Sequence, residues 1–135
     1  MKSTTLRTAL SIVTPLALMF AVACDEDTSG PGEEQTFVVE VSGEQFKVRT
    51  SDPDVVAILE LRKASGQVGP VSGTLVQGDG GFNAPWNWHL DPETVHAPDL
   101  TVEVCDGRPS MVEADLDYWL GTVKAFCPWG SKIVQ

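Results

Sequence analysis

The amino-acid sequence predicts an α+β fold, in which a twisted, mainly antiparallel sheet of about five strands packs against two helices and contains one disulfide. Three observations support this prediction. Short segments alternate apolar and polar residues, as strands do, and two other segments carry apolar residues at helical spacing behind capping residues. Two cysteines, Cys105 and Cys127, lie on either side of the second helical segment. The 135 residues are 42% apolar, and a single domain is predicted over residues 36–135.

The first residues have the features of a targeting segment. Lys2 and Arg7 precede an apolar run that extends from Thr8 to Ala23. A membrane-spanning helix needs roughly 20 apolar residues, and this run is shorter and is followed at once by acidic residues. The pattern therefore predicts that residues 1–23 are a signal peptide.

The residues around Cys24 predict a lipid anchor. The preceding Ala21-Val22-Ala23 fits an ordinary cleavage site and also resembles a bacterial lipobox. Exported proteins use cysteines in pairs, and this sequence has three. If Cys24 is acylated, the other two form a pair. The sequence therefore predicts a membrane-anchored lipoprotein of the bacterial cell envelope. Plain secretion, with Cys24 free or bonded to another molecule, is the alternative.

Residues 24–35 are predicted to be the lipidated cysteine and a flexible acidic tether. Between Asp25 and Gln35 there is no apolar side chain. Such a segment cannot bury surface that would offset the entropy lost on ordering.

The domain is predicted to begin with a β-hairpin. In residues 37–49, apolar and polar residues alternate on both sides of a Ser42-Gly43 turn. This pattern indicates two paired strands.

A first helix is predicted over residues 53–64. Ser51-Asp52 offers a capping side chain directly before Pro53, and Gly66 provides the stop. Val55, Ile58 and Leu59 supply the apolar stripe between these signals.

Three further strands are predicted in the centre of the chain. The first, over residues 71–76, lies within a glycine-rich stretch. Residues 86–90 alternate, which places their two tryptophans on one face and His89 on the other. Residues 100–105 also alternate and predict the third of these strands.

A second helix is predicted over residues 111–120. Ser110 and Glu113 have the spacing of a capping box. The apolar stripe of this helix consists of Val112, Leu116, Trp119 and Leu120. Residues 124–129 are expected to form an extended segment after this helix.

Cys105 and Cys127 are predicted to form the disulfide. A small domain buries only a limited fraction of its surface, so a covalent link adds needed stability. Closing a loop of this length contributes about 3 kcal/mol in the chain-entropy model. The alternative is a pair of buried thiols.

Trp86, His89 and Trp129 are the candidate binding residues. Trp86 and Trp129 each lie beside a proline and are expected at the surface, where large aromatic side chains contribute strongly to binding. Trp119, which lies on the helical stripe, is expected in the core.

His89 is also the basis of an alternative in which the protein is a metal-dependent or hydrolytic enzyme. Asp91, Glu93 and His96 follow it closely and together could bind a divalent cation. A histidine beside tryptophans more often makes structural hydrogen bonds. A second acidic group could bind calcium, and it consists of Asp106, Glu113, Asp115 and Asp117. Acidic residues near a helix N-terminus are, however, explained by the helix dipole alone. We therefore expect no catalytic residue, no bound metal and no cofactor.

Three segments together resemble one known family. They are Trp86 to Pro92, Val102 to Pro109 with Val112-Glu113, and Phe126 to Ser131. Over about residues 36–133 the chain is similar to the small exported domain at the N-terminus of a eukaryotic calmodulin-binding protein, whose bacterial relatives are often short secreted proteins or lipoproteins. The resemblance implies a domain identity and no established catalytic residues. Where many members carry Ser-Ser-Arg after the Pro-Trp pair, this chain has Gly130, Ser131 and Lys132.

The charge pattern excludes two classes of partner. Nineteen acidic and nine basic residues give a net charge of −10, which argues against nucleic acid. Calmodulin binds basic amphipathic helices, and residues 111–120 contain no Lys or Arg. We therefore expect a lipid-anchored, non-catalytic binding or interaction module with a protein or glycan partner. A structural or adhesive role is a further alternative.

Overall fold

The computed structural model describes residues 32–135. The predicted signal peptide, Cys24 and most of the acidic tether lie outside the described residues. The elements, in chain order, are β1 (Gln35–Val41), β2 (Glu44–Thr50), α1 (Pro53–Ser65), β3 (Gly73–Gln77), β4 (Trp88–Leu90), a 3₁₀ turn (Glu103–Cys105), α2 (Pro109–Ala114), α3 (Leu116–Tyr118), a π-helical turn (Trp119–Val123), β5 (Ala125–Phe126) and β6 (Lys132–Ile133). No helix within the described residues is long and apolar enough to cross a membrane.

The fold is α+β, as predicted, but the strands form two sheets. Each has three antiparallel strands, in the orders β2-β1-β6 and β4-β3-β5. The prediction of one sheet of about five strands is therefore wrong. The ring of Phe46 on β2 lies 5.7 Å from that of Trp88 on β4 and 5.4 Å from that of Phe126 on β5. Packed sheets lie about 10 Å apart and paired strands about 4.8 Å apart, so strands separated by these rings cannot pair.

The predicted hairpin is confirmed. The β1 and β2 strands pair in register from Gln35 opposite Thr50 to Val41 opposite Glu44. The turn residues Ser42 and Gly43 both have positive φ angles, 53° and 78°. Positive φ at both central residues is the signature of the tight turns that match the twist of a hairpin.

Helix α1 is also confirmed, with its last residue one position later than predicted. The Asp52 carboxylate accepts hydrogen bonds from the backbone N–H groups of Asp54 (2.9 Å) and Val55 (3.2 Å). Val55, Leu59 and Arg62 are the buried residues of this helix. Arg62 therefore occupies a position at which helical spacing predicts an apolar side chain.

The two strands predicted next are present with different ends. β3 begins at Gly73, two residues later than predicted, and β4 begins at Trp88, also two residues later. The backbone N–H of Asn87 donates to the carboxylate of Glu113 (2.9 Å) and not to β3. The pairing with β3 therefore begins one residue further along.

The predicted strand over residues 100–105 is wrong. This segment contains the 3₁₀ turn and no strand. Its alternating apolar side chains face solvent, with Leu100 88% exposed and Val102 65% exposed. Among residues 32–135, the backbone N–H groups of Leu100, Thr101 and Val102 form no hydrogen bond with other backbone groups.

Contacts at both ends of this segment explain why it does not join a sheet. Before it, the carbonyl groups of Ala97 and Pro98 accept hydrogen bonds from the buried guanidinium of Arg62. After it, Cys105 forms the predicted disulfide with Cys127, and their Cα atoms are 5.1 Å apart. The ends are thus held by tertiary contacts that the alternating pattern does not reveal.

The helix predicted over residues 111–120 is present but is interrupted at Asp115. α2 ends at Ala114, the next residue Asp115 has a φ of −143° and a ψ of 60°, and two short helical turns follow. The capping box does not form. The backbone N–H and hydroxyl of Ser110 donate to the carboxylate of Glu44 (2.8 and 2.7 Å), and Glu113 accepts from the loop before β4. Tertiary hydrogen bonds therefore use both residues that would have capped the helix.

The contact between Glu44 and Ser110 predicts a pH-dependent stability. The Ser110 hydroxyl and N–H, together with Arg108 at 3.9 Å, lower the pKa of Glu44 below its ordinary value of 4.5. A carboxyl group with a lowered pKa in the folded chain stabilises it above pH 4.5, and this stabilisation is lost as the pH falls through the lower, folded value. Urea denaturation is expected to show wild type more stable than Glu44→Gln at about pH 6, with the difference shrinking by about pH 3.

Ser110→Ala provides the control for this prediction. In the Ser110→Ala background, the stability difference between Glu44 and Gln is expected to depend less on pH, because the hydroxyl that is the largest cause of the lowered pKa is removed while the backbone N–H and Arg108 remain. If the stability difference between wild type and Glu44→Gln were the same at both pH values, the prediction would be contradicted.

Candidate functional site

A groove beside Trp129 is the candidate functional site. Its lining comes from three segments that are distant in the chain, namely Val68 to Pro70 after α1, Asp99 to Thr101 before the 3₁₀ turn, and Trp129 after β5. We call it the Trp129 groove. Its volume is about 270 Å³, slightly below the range of about 300–1,000 Å³ found for small-molecule pockets.

The backbone around Trp129 is held in place. The Trp129 N–H donates to the carboxylate of Asp106 (2.9 Å). The carbonyl of the buried Pro128 accepts from the hydroxyl of the buried Ser131 (2.7 Å). One residue earlier, Cys127 is fixed by the disulfide. The residue Trp129 is nevertheless 40% exposed, so a fixed backbone presents an aromatic residue to solvent.

Other apolar side chains in this groove are also exposed. Leu100 is 88% exposed and Val68 57% exposed. Single exposed apolar residues are common on protein surfaces. Several around one concavity are typical of an interaction site.

A second groove lies beside α1, and we call it the α1 groove. Its volume is about 330 Å³. Helix α1 contributes Ile58 and Leu61, which are 41% and 65% exposed. The loop residues Ala97, Pro98 and Asp99 form its other side.

The buried side chain of Arg62 supports both grooves. Its Nη1 donates to the carbonyl of Pro70 (2.7 Å), and its Nη2 donates to those of Ala97 (3.2 Å) and Pro98 (3.1 Å). Pro70 lines the Trp129 groove, and the other two residues line the α1 groove. Gly69 lies directly on the guanidinium, since a Cβ there would be 3.2 Å from Cζ of Arg62. One side chain thus sets the position of both walls.

Of the three candidate binding residues, only Trp129 lines the Trp129 groove. Trp86 is half-buried, donates from Nε1 to the carbonyl of Gln45 (2.8 Å), and lies 6.2 Å from the ring of Trp88. His89 is half-buried, and its Nδ1 lies 2.7 Å from the carbonyl oxygen of Gly78. Because a carbonyl can only accept, the Nδ1 of His89 is the donor in this bond.

Two of the residues that follow His89, Asp91 and His96, have other partners. Asp91 accepts from the backbone N–H of Glu93 (3.1 Å), and the Nδ1 of His96 lies 2.9 Å from the carbonyl of Thr94. Within residues 32–135, no group of three or more His, Cys, Asp or Glu side chains is arranged to hold a metal ion.

Sequence reasoning missed Arg62, Asp99 and Leu100. An arginine on the apolar stripe of α1 was a signal that could have identified Arg62 as buried. The alternating pattern around Leu100 predicts a strand, so it does not indicate a binding residue. No local pattern marks Asp99.

Comparison with known proteins identifies the family of the domain. Residues 33–135 match the family model described as the BP-74 N-terminal domain. This match confirms the resemblance to the N-terminal domain of a calmodulin-binding protein. No curated protein and no solved structure matches the chain. The chain therefore belongs to the BP-74 N-terminal domain family.

Proposed function

We propose that the domain is a non-catalytic binding module that holds a protein partner in the Trp129 groove. The observation that carries this proposal is the exposure of Val68, Leu100 and Trp129 around one groove. Removing apolar surface from water contributes about 25 cal/mol per Å², and tryptophan is among the residues that dominate binding energies. Because the backbone of Trp129 is already fixed, binding requires little further ordering of this residue.

The lining of the groove favours a protein over a glycan. Besides the indole of Trp129, only Asp99 and Thr101 contribute polar side-chain groups to it, and the Thr101 hydroxyl oxygen is itself buried, with no hydrogen-bond partner in the described part of the chain. A glycan presents many hydroxyl groups, and each one that becomes buried needs a partner. An apolar side chain of a protein has no such requirement.

We further propose that the protein is exported and anchored through an acylated Cys24. The Cys105–Cys127 disulfide supports export, because disulfides persist in oxidising compartments. With these two cysteines paired, Cys24 is the remaining one of the three in the sequence. Mass spectrometry of the mature N-terminus is expected to find acylated Cys24. An unmodified Cys24 would contradict the anchor, and an unprocessed Met1 would contradict export.

Site-specific crosslinking tests the binding proposal. The photoreactive residue benzoylphenylalanine replaces Leu100 in the full-length chain, which is produced in its native cells. The control places the same residue at Tyr118, which is 47% exposed and lines neither groove. We expect one protein to be crosslinked at position 100 and not at position 118.

A second variant tests whether this crosslink depends on the groove. Trp129→Ser is expected to reduce crosslinking at position 100 while the chain stays folded, as measured by its thermal unfolding. The same products at both positions, or crosslinking that Trp129→Ser does not change, would contradict the proposal. Crosslinking only to glycans would show that the partner is a glycan and not a protein.

A further inference from the structure

Asp99 lines both the Trp129 groove and the α1 groove. The two grooves are therefore neighbours on one surface. The exposed side chains of Leu100 and Leu61 belong to different grooves, so apolar surface is present in each of them. With volumes of about 270 and 330 Å³, each groove has the size for individual side chains of a partner.

Arg62 and Asp99 are the charged residues among those that line the two grooves. Arg62 is only 5% exposed, and three carbonyl groups accept hydrogen bonds from its guanidinium. Asp99 is exposed, and within residues 32–135 its carboxylate forms no hydrogen bond and no ion pair. A partner on this surface therefore meets one available negative charge among apolar side chains.

We propose that the paired grooves bind one partner segment that presents, on one face, two apolar side chains with a lysine or arginine between them. This inference rests on the proposed function. The apolar side chains occupy the two grooves, and the cation lies against Asp99. The net charge of −10 supports a cationic partner, because complementary charge increases the rate of association and disfavours wrong partners.

The same charges argue against a second copy of this chain as the occupant. A symmetric pair of copies would bring the carboxylates of Asp99 near one another. The exposed Glu103, four residues further on, would add to the repulsion. The groove linings contain no exposed Lys or Arg that would compensate for it.

Three peptides that differ in one residue test this inference. They are acetyl-Leu-Ser-Lys-Ser-Leu-amide and the versions in which norleucine or glutamate replaces lysine. In an extended peptide, the first, third and fifth side chains lie on one face. Binding to the full-length chain is followed at low salt by NMR, from the methyl resonances of Leu61 and Leu100 and the indole resonance of Trp129.

We expect the lysine peptide to bind about two- to fivefold more tightly than the norleucine peptide, as a solvent-exposed ion pair allows. The glutamate peptide is expected to bind most weakly. Asp99→Asn should make the lysine and norleucine peptides bind equally. The matched control Asp117→Asn removes an exposed carboxylate that lines neither groove and should leave their ratio unchanged.

The possible failures of the two proposals are distinguishable. Equal binding of the lysine and norleucine peptides to wild type would overturn the inference but not the proposed function, because apolar contact alone would then explain binding. Peptide shifts confined to one groove would also overturn it, as would dimerisation of the chain through Leu100. The proposed function itself fails if crosslinking gives the same products at position 100 and at the control position 118.

Discussion

Replacing Arg62 by methionine is expected to lower the free energy of unfolding by about 3 kcal/mol, since a buried polar group left without its partner costs about 1–3 kcal/mol. The substitution removes the donor for the carbonyl groups of Pro70, Ala97 and Pro98. Methionine keeps an unbranched apolar stem, so most of the effect reflects the lost hydrogen bonds. Urea denaturation of the full-length chain, followed by tryptophan fluorescence, measures it.

Lys63→Met is the matched control for this prediction. Lys63 is the next residue of α1, is exposed, and pairs with Glu60 at 2.9 Å. An exposed ion pair contributes about 0–1 kcal/mol, so the control is expected to change the free energy of unfolding by less than about 1 kcal/mol. If Arg62→Met and Lys63→Met lowered the free energy of unfolding equally, the prediction that the buried hydrogen bonds of Arg62 stabilise the fold would be contradicted. Arg62→Met should also reduce crosslinking at position 100, because both groove walls lose their support.

Removing the disulfide is expected to have an effect of similar size. The double variant Cys105→Ser, Cys127→Ser should lose about 3 kcal/mol, because the bond closes a loop between residues 22 positions apart. The loss arises mainly from the greater freedom of the unfolded chain. Denaturation of the oxidised, reduced and double-variant chains measures it.

The comparison of these three chains separates the bond from the substitutions. The reduced wild type and the double variant are expected to have similar stability, both well below that of the oxidised chain. Hydrogen exchange should also become faster in the segment directly before Cys105, because the disulfide fixes the C-terminal end of that segment. Equal stability of the oxidised and reduced wild-type chains would contradict the prediction.

The first part of the fold could be predicted because its signals are local. The turn at Ser42-Gly43 requires positive φ angles, and the alternation on both sides of it fixes the register of the hairpin. Asp52 and Gly66 mark the two ends of α1 within one turn of the helix itself. Neither feature depends on contacts with distant parts of the chain.

The second part could not be predicted because distant contacts override its local patterns. Ser110 has the spacing for a helix cap, but it donates to Glu44, 66 positions earlier in the chain. Residues 100–105 alternate like a strand, but Arg62 holds the backbone before them. The division into two sheets depends on aromatic contacts such as that of Phe46 with Trp88.

The candidate site was predictable only in part. Trp129 could be identified because an aromatic residue beside a proline at the end of a strand is often at the surface. Its neighbours in the groove are about 30 and 60 positions away in the chain, so no local pattern connects them with it. Trp86 and His89 resembled site residues for the same local reasons as Trp129. In the structure, their polar atoms bind the backbone at Gln45 and Gly78.

Hydrogen exchange with and without the crosslinked partner tests the binding proposal most directly. The backbone N–H groups of Leu100, Thr101 and Val102 form no bonds to other backbone groups within the described residues, so they should exchange quickly in the free protein. We expect the partner to slow amide exchange around Leu100 and Trp129. Protection confined to other surfaces, such as that of β4, would contradict it.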